Sequence, residues 1–250
     1  MSNVFNEYSQ YYNLLYKDKN YKAEVDYIDD VIRDYSPNAK SVLDLGCGTG
    51  RHDFYLSQKG YDVFGVDMSN TMLNFAKKLG MKCIQGDART FRADKKFDAV
   101  VSLFHVASYQ ITDLDIMNYF QTMAYHMNKD GVCIFDVWYK PAVLFQKPED
   151  RVKELENENV HIKRFCHSNH IPQKSLVEVN YLIDITNKQD GRKSTLKELH
   201  KMRYYSKQEL EKFAGLAGIQ LVRAEEFVTK NKPSRDTWGV CFAGIKEKHR

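Results

Sequence analysis

Between residues 40 and 137 the chain alternates short apolar runs with segments whose apolar positions recur every three or four residues: 41–45 then 51–58, 62–66 then 69–79, 82–85, 97–103 then 113–127, and 131–137. Apolar runs of this length suit strands buried on both faces, and their alternation with helical segments predicts a parallel sheet covered by helices on both sides. Ser69 and Asp113 stand where helix N-caps are needed, and Gly60, Gly80 and Gly131 fall just past expected helix ends. Further downstream the period changes to two. Val177, Val179, Tyr181, Ile183 and Ile185 alternate with Glu178, Asn180, Leu182, Asp184 and Thr186, which predicts a strand with one buried face. Together with 160–168 before it and 196–205 after the turn-rich 187–192, it predicts an antiparallel layer. Ser206 and Glu209 read as a capping box opening a helix that stops near Gly215 to Gly218, and strands near 219–228 and 237–245 close the sequence. Upstream, tyrosines at 8, 11, 12, 16, 21, 27 and 35 and an amphipathic stretch over 21–35 predict a helical cap laid over a site.

The first apolar run continues as Val42-Leu43-Asp44-Leu45-Gly46-Cys47-Gly48-Thr49-Gly50, and a second run, 61–66, ends in Asp67. Glycines let backbone turn sharply and approach a ligand closely, and the helix expected from Arg51 would point its N-terminus at that ligand. A carboxylate at Asp67, ending a neighbouring strand, suits the two hydroxyls of a ribose. Gly86-Asp87-Ala88 follows the third run. Ligands of such sheets bind outside the carboxyl ends of the strands, where Gly46–Gly50, Asp67, Asp87 and Phe104–Tyr109 would converge. A dinucleotide fingerprint spaces its glycines Gly-x-Gly-x-x-Gly, whereas these fall at 46, 48 and 50 behind Asp44, which disfavours an NAD enzyme.

At these residues the chain resembles the class I S-adenosylmethionine-dependent methyltransferases, and over most of 11–230 it is most similar to the N,N-dimethyltransferases of nucleotide-linked amino sugars. The resemblance is carried by Tyr12-Asn13-Leu14, Asn20-Tyr21, the 131–139 stretch ending Asp136-Val137-Trp138-Tyr139, and Cys166-His167-Ser168. It implies S-adenosyl-L-methionine as cofactor, with Tyr12 and Tyr21 at its amino-acid end, Asp67 at its ribose and Asp87-Ala88 at its adenine. Asp44, Gly46, Cys47, Gly48, Gly50, Met68 and Leu103 complete the expected cofactor set. The expected fold is a doubly wound, Rossmann-like, mostly parallel sheet with an antiparallel β layer in the C-terminal half. Its expected divisions are an N-terminal helical cap (1–36), a cofactor-binding core (37–145), an antiparallel substrate-side insertion (146–205), and a C-terminal helix with closing strands (206–250).

Methyl transfer from a sulfonium is an in-line displacement on an already activated donor, so positioning and desolvation outweigh the need for a strong base. An amine must still arrive neutral, and His105 and Tyr109, near the end of the fourth run, are the candidate catalytic residues. Trp138 and Tyr139 are expected to wall the acceptor, with Arg164 as an anion anchor and His167 as a contact from the added layer. Tyr109 stands where the resembled enzymes have a histidine, and Asp136-Val137 where they have Glu-Pro. The acceptor therefore stays open: the amino group of a nucleotide-linked sugar first, and alternatively the hydroxyl of a sugar or of a small capsule or lipopolysaccharide precursor, or no acceptor at all in a non-catalytic S-adenosylmethionine-binding protein.

Composition narrows the partners. The 250 residues suit one large domain, or a core with an insertion, and 37 Lys plus Arg against 33 Asp plus Glu give a net charge of +4 that is interspersed along the chain. Nucleic acid is not the expected partner, and the basic tail, 246–250, reads as solvated. Cys47, Cys83, Cys133, Cys166 and Cys241 have no pairing or zinc spacing, and His161, His167 and His170 no metal spacing, so no metal is expected. No targeting segment or long apolar stretch stands out, which predicts a soluble cytoplasmic protein with a small-molecule substrate, no membrane, and a homodimer allowed.

Overall fold

The computed structural model describes residues 9–247, with side chains from Tyr11 onward; Tyr8 and the tail positions 248–250 lie outside the described residues. Five apolar runs become strands β1 (Ser41–Leu45), β2 (Asp62–Asp67), β3 (Lys82–Gln85), β4 (Phe97–Ser102) and β5 (Met127–Trp138). With β10 (Ile219–Glu226) and β11 (Gly239–Lys246) they form one sheet in the order β10-β11-β5-β4-β1-β2-β3. The first five strands pair in parallel, while β11 pairs antiparallel with β5 and with β10. From β1 the chain winds outward through β2 to β3, then returns to the other side of β1 as β4. The direction therefore reverses between β1 and β4, and the carboxyl ends of these two strands splay apart into a ligand crevice.

Helices cover both faces. On one side lie α2 (Tyr21–Tyr35) and α3 (Arg51–Gln58); α2 buries Val25, Ile28, Val31 and Ile32, spaced three or four apart, against Val42, Val63, Ala99 and Val101 of the sheet. On the other lie α5 (Asp113–His126) and α7 (Lys207–Leu216), whose Ile116, Phe120, Met123, Leu210 and Phe213 pack on Leu43, Val100, Phe135 and Phe242. Both of these open with reciprocal capping boxes, Thr112 with Asp115 and Ser206 with Glu209, each cap contributing about 1 kcal/mol. The α5 cap is thus Thr112 rather than the expected Asp113. Ser69 does cap α4 (Asn70–Lys78), its side chain accepting from Met72 N–H.

Between β5 and α7 the chain leaves this sheet through the short helix α6 (Lys140–Gln146) and builds a second sheet, β6 (Arg151–Glu156), β7 (Val160–Ile171), β8 (Leu176–Asn187) and β9 (Lys193–Arg203), antiparallel in that order. Its inner face divides in two. Ile162, Ile183 and Ile185 pack with Leu15, Tyr12 and Tyr16 of α1 (Ser9–Leu15) and the turn after it. Val177, Val179, Met202 and Tyr204 pack with Tyr109, Trp138 and Trp238, at the carboxyl end of the parallel sheet. The second sheet and α1 thereby face the crevice. Among the described residues no helix is long and apolar enough to cross a membrane.

Candidate active site

The loop after β1 is shaped by its glycines. Gly46 has φ +91°, and a Cβ there would lie 2.5 Å from Val106 Cγ2, so this position admits no side chain; Gly48 (φ +54°) has nothing within 4 Å of where its Cβ would be. Backbone at Gly48 is thus open to a ligand. Gly46 and Cys47 donate their N–H groups to Val66 O, which ties the loop to β2 (2.7 and 3.0 Å). Asp67 receives Gly48 N–H on Oδ2 (2.9 Å) and Ser69 N–H on Oδ1 (2.8 Å). Burial raises its pKa despite these two donors.

Around this loop lie buried polar atoms without a conventional hydrogen-bond partner among the described residues, as a small polar ligand would require: Tyr21 Oη, Arg51 Nε and Asp44 Oδ1. The Arg51 guanidinium lies over the Tyr21 ring (5.5 Å), and Lys19, paired with Glu24, lies over the Phe104 ring (4.3 Å). Asn13 accepts the Thr49 hydroxyl (3.1 Å), linking α1 to the glycine loop, while Tyr12 meets Tyr16 at a tilt and Phe104 edge-on. These groups suit the amino-acid end of S-adenosylmethionine, and an open glycine backbone beside Asp67 suits its ribosyl sulfonium. Met68 stands exposed on the rim and Leu103 is buried. Asp87 is engaged by Arg89, which bonds both its oxygens and reaches on to Asp115. Burial works to raise the Asp87 pKa, but Arg89 outweighs it. Ala88 packs beside Phe91 against the core.

Beneath the loop, Asp44 and Asp53 are both buried, with Cys47 beside them. Among the described residues neither Asp53 oxygen has a hydrogen-bond partner other than the Asp44 carboxyl, and two buried carboxyls in contact share a proton. Burial first and Asp53 second keep Asp44 protonated well above the usual range; Asp53, its burial partly offset by the Asp44 hydrogen bond, is pushed up to about 6.

The candidate acceptor side begins where β4 ends. Phe104 and His105 both adopt φ +66°, a conformation non-glycine residues take mostly where surroundings enforce it. His105 Nδ1 lies 2.6 Å from Asp136 Oδ2, and the His105 backbone N–H donates to Asp136 Oδ1 at 3.0 Å. Asp136, on β5, is fully buried; burial pushes its pKa up, yet the charge and hydrogen bonds of His105 hold it below the usual range. Trp138 meets His105 and Trp238 edge-on, at 6.3 and 5.6 Å. A short 3-10 turn, 106–109, brings Tyr109 to His200 of β9, Oη to Nδ1 at 2.7 Å, and His200 Nε2 lies 2.9 Å from Glu198 Oε2. Arg164 of β7 faces the same side, its guanidinium 4.9 Å from the Tyr181 ring.

Two substrate-side expectations are corrected. His167 pairs across the sheet with Asn180, and Asn180 with Leu199, a row on the solvent face; its side chain is 69% exposed and bonds Asp150. Tyr139 follows Trp138 on the opposite side of the strand, so it packs against the core containing Tyr205 while Trp138 faces the site. Lys19, Glu24, Arg51, Asp136, His200 and Glu198 went unidentified as site neighbours. For the last two a signal existed: Leu196, Glu198, His200, Met202 and Tyr204 share the period of two.

Residues 42–131 match the family model described as a methyltransferase domain. The chain is 34% identical over 139 residues to the dTDP-3-amino-3,4,6-trideoxy-alpha-D-glucopyranose N,N-dimethyltransferase of Streptomyces venezuelae, covering 54% of this chain and 59% of that relative. It is 26% identical over 219 residues to the dTDP-3-amino-3,6-dideoxy-alpha-D-glucopyranose N,N-dimethyltransferase of Streptomyces fradiae, covering 86% of this chain and 84% of the other. Among solved structures, the sugar N-methyltransferase KedS8 from Streptoalloteichus sp. ATCC 53650 superposes with a TM-score of 0.84 at 22% identity, over 99% of this chain and 94% of its own, a similarity of fold that includes the antiparallel sheet.

Proposed function

The chain carries an S-adenosylmethionine-dependent methyltransferase domain, and on that premise we propose that it transfers the methyl group of S-adenosylmethionine to the amino group of a nucleotide-linked sugar, in the cytoplasm. Relatives named for that acceptor support the reading, and the observation that carries it is the His105–Asp136 pair at the carboxyl ends of β4 and β5, faced by the inner side of the antiparallel sheet.

When bound, S-adenosylmethionine supplies a methyl group activated by its sulfonium charge. The work of the protein is to hold both partners in line and keep water away. In this reading Tyr12, Tyr21, Arg51 and Lys19 hold the amino-acid end of the donor, Asp67 takes its ribose hydroxyls, and Asp87 and Ala88 border its adenine. Phe104 and Trp138 exclude water from the acceptor, and Arg164 attracts its anionic portion. His105 takes the proton of the incoming ammonium. With Asp136 ionised 2.6 Å from Nδ1, the charge favours the ring proton on that nitrogen, and the Nε2 lone pair is the acceptor.

The same pair would also serve a second reading, a hydroxyl acceptor, because a hydroxyl needs a base during attack. Purified protein incubated with methyl-labelled donor and a panel of nucleotide-linked amino sugars, the matching neutral sugars and small amines separates them. Label in the amino sugars is expected. Label confined to neutral sugars would replace the proposal with O-methyl transfer, and donor binding without transfer to any acceptor would leave a non-catalytic protein.

A further inference from the structure

The antiparallel sheet holds a buried hydrogen-bonded chain of its own: Tyr109 Oη to His200 Nδ1 at 2.7 Å, and His200 Nε2 to Glu198 Oε2 at 2.9 Å, the His200 and Glu198 side chains 4% and 7% exposed. We propose that Glu198 and His200 are positioning residues that make Tyr109 a proton acceptor for the methyl-accepting group, through a route separate from His105 and Asp136; this rests on the transferase reading above. A glutamate carboxylate beside Nε2 fixes the hydrogen on that nitrogen, which leaves Nδ1 as an acceptor and turns the Tyr109 O–H toward it. The lone pairs of the phenol oxygen are then directed away from the imidazole.

In the step proposed, a proton of the acceptor nitrogen passes to Tyr109 Oη while the phenol's own proton passes to His200 Nδ1. Tyr109 ends as the neutral phenol it began as, and the positive charge rests on an imidazolium held against Glu198. Burial raises the Tyr109 pKa well above the ordinary tyrosine value, so a free phenolate is excluded and the proton must move through in concert. Besides Tyr109 and Glu198, His200 meets the Tyr181 ring of β8 at 5.0 Å; past that ring on the same face of the sheet lie Arg164 and Cys166 of β7, with Tyr16 against Arg164. Arg164 is the cation among them, and its charge lies over the rings of Tyr181 and Tyr16. The sheet that faces the acceptor thus also drains its proton.

Nitrogen-15 NMR of the histidine rings, with His200 assigned by its loss in His200→Asn, tests the arrangement without turnover. An Nε2–H tautomer is expected, and an Nδ1–H tautomer would overturn the proposal. In turnover on the identified acceptor, His200→Asn retains an oxygen to receive the Tyr109 hydroxyl but cannot take its proton. It and Glu198→Gln should lower kcat by about 10- to 100-fold with the KM for S-adenosylmethionine within about twofold, and His200→Asn should make the acidic limb of the kcat profile shallower. Unchanged kcat and an unchanged profile in folded variants overturn the relay. If the wild-type protein methylates nothing, the transferase reading falls, and the relay falls with it even where the tautomer is the expected one.

Discussion

His105 is fixed to Asp136 at two points, its ring through Nδ1 to Oδ2 at 2.6 Å and its backbone N–H to Oδ1 at 3.0 Å. One carboxylate on β5 therefore sets both the backbone turn that ends β4 and the ring orientation of the residue in that turn. Asp136→Asn keeps the shape and one acceptor oxygen, which cannot serve both donors as the carboxylate does. Turnover is expected to fall by about 10- to 100-fold while calorimetry finds donor affinity unchanged. Full activity in the variant would remove His105 from the proton transfer.

Asp67 accepts an N–H group on each oxygen and still has lone pairs for ribose hydroxyls. Asn keeps a single acceptor oxygen, so Asp67→Asn should weaken S-adenosylmethionine binding by roughly ten- to hundredfold, the equivalent of about 1.5–3 kcal/mol for hydrogen bonds to a charged group. Calorimetry that returned the wild-type dissociation constant would show that the ribose is held elsewhere.

The carboxyl pair under the glycine loop sets a pH dependence of unusual sign. Asp53 is pushed up to about 6 from an ordinary value of 3.8, so the folded chain binds more protons there than the unfolded one. Its contribution to stability is fully present below 3.8 and is lost as pH rises through about 6. Asp136, held low, acts in the opposite sense: its contribution is present above the ordinary range and is lost as pH falls. Asp53→Asn should accordingly stabilise the protein by about 1–3 kcal/mol near pH 7.5 and by little near pH 4. Thermal melts at the two pH values decide it, and equal shifts at both would mean that Asp53 titrates normally.

His167→Ala should leave kcat and both KM values within about twofold, because the side chain lies on the solvent face with Asp150. A loss of tenfold or more in steady-state rates would return this residue to the acceptor site.

The buried parallel strands could be read from the chain because nothing else makes apolar runs as short as Val42–Leu45 and Phe97–Ser102 flanked by turns, and Arg51–Gln58 follows at once from the glycines. β5 begins at Met127 rather than Gly131 because its first residues, Asn128, Lys129 and Asp130, sit at the polar rim of the sheet and carry no apolar signal. α6 was hidden by Pro141, which serves as well in a first helical turn as in a bend, and β6 by its exposure at a sheet edge, where charged residues stand on both faces. Of the expected cofactor residues, Asp44, Gly46, Cys47, Gly48 and Gly50 lie within one contiguous motif. The Tyr109–His200 contact joins residues 91 apart, through a pairing register that no local pattern specifies.

Where the chain departs from the parallel sheet and where it returns, the two backbones meet. Tyr205 N–H donates to Trp138 O at 3.0 Å and Lys140 N–H to Tyr205 O at 2.8 Å, so everything from α6 through β9 is an excursion whose stem is already closed. An exchange of the intervening segment for one of different length or shape would leave both attachment points where the core needs them. The parallel sheet and the antiparallel one are in this sense a socket and a removable fitting. Grafting another segment onto Trp138 and Tyr205 is the natural place to start in changing what this scaffold modifies.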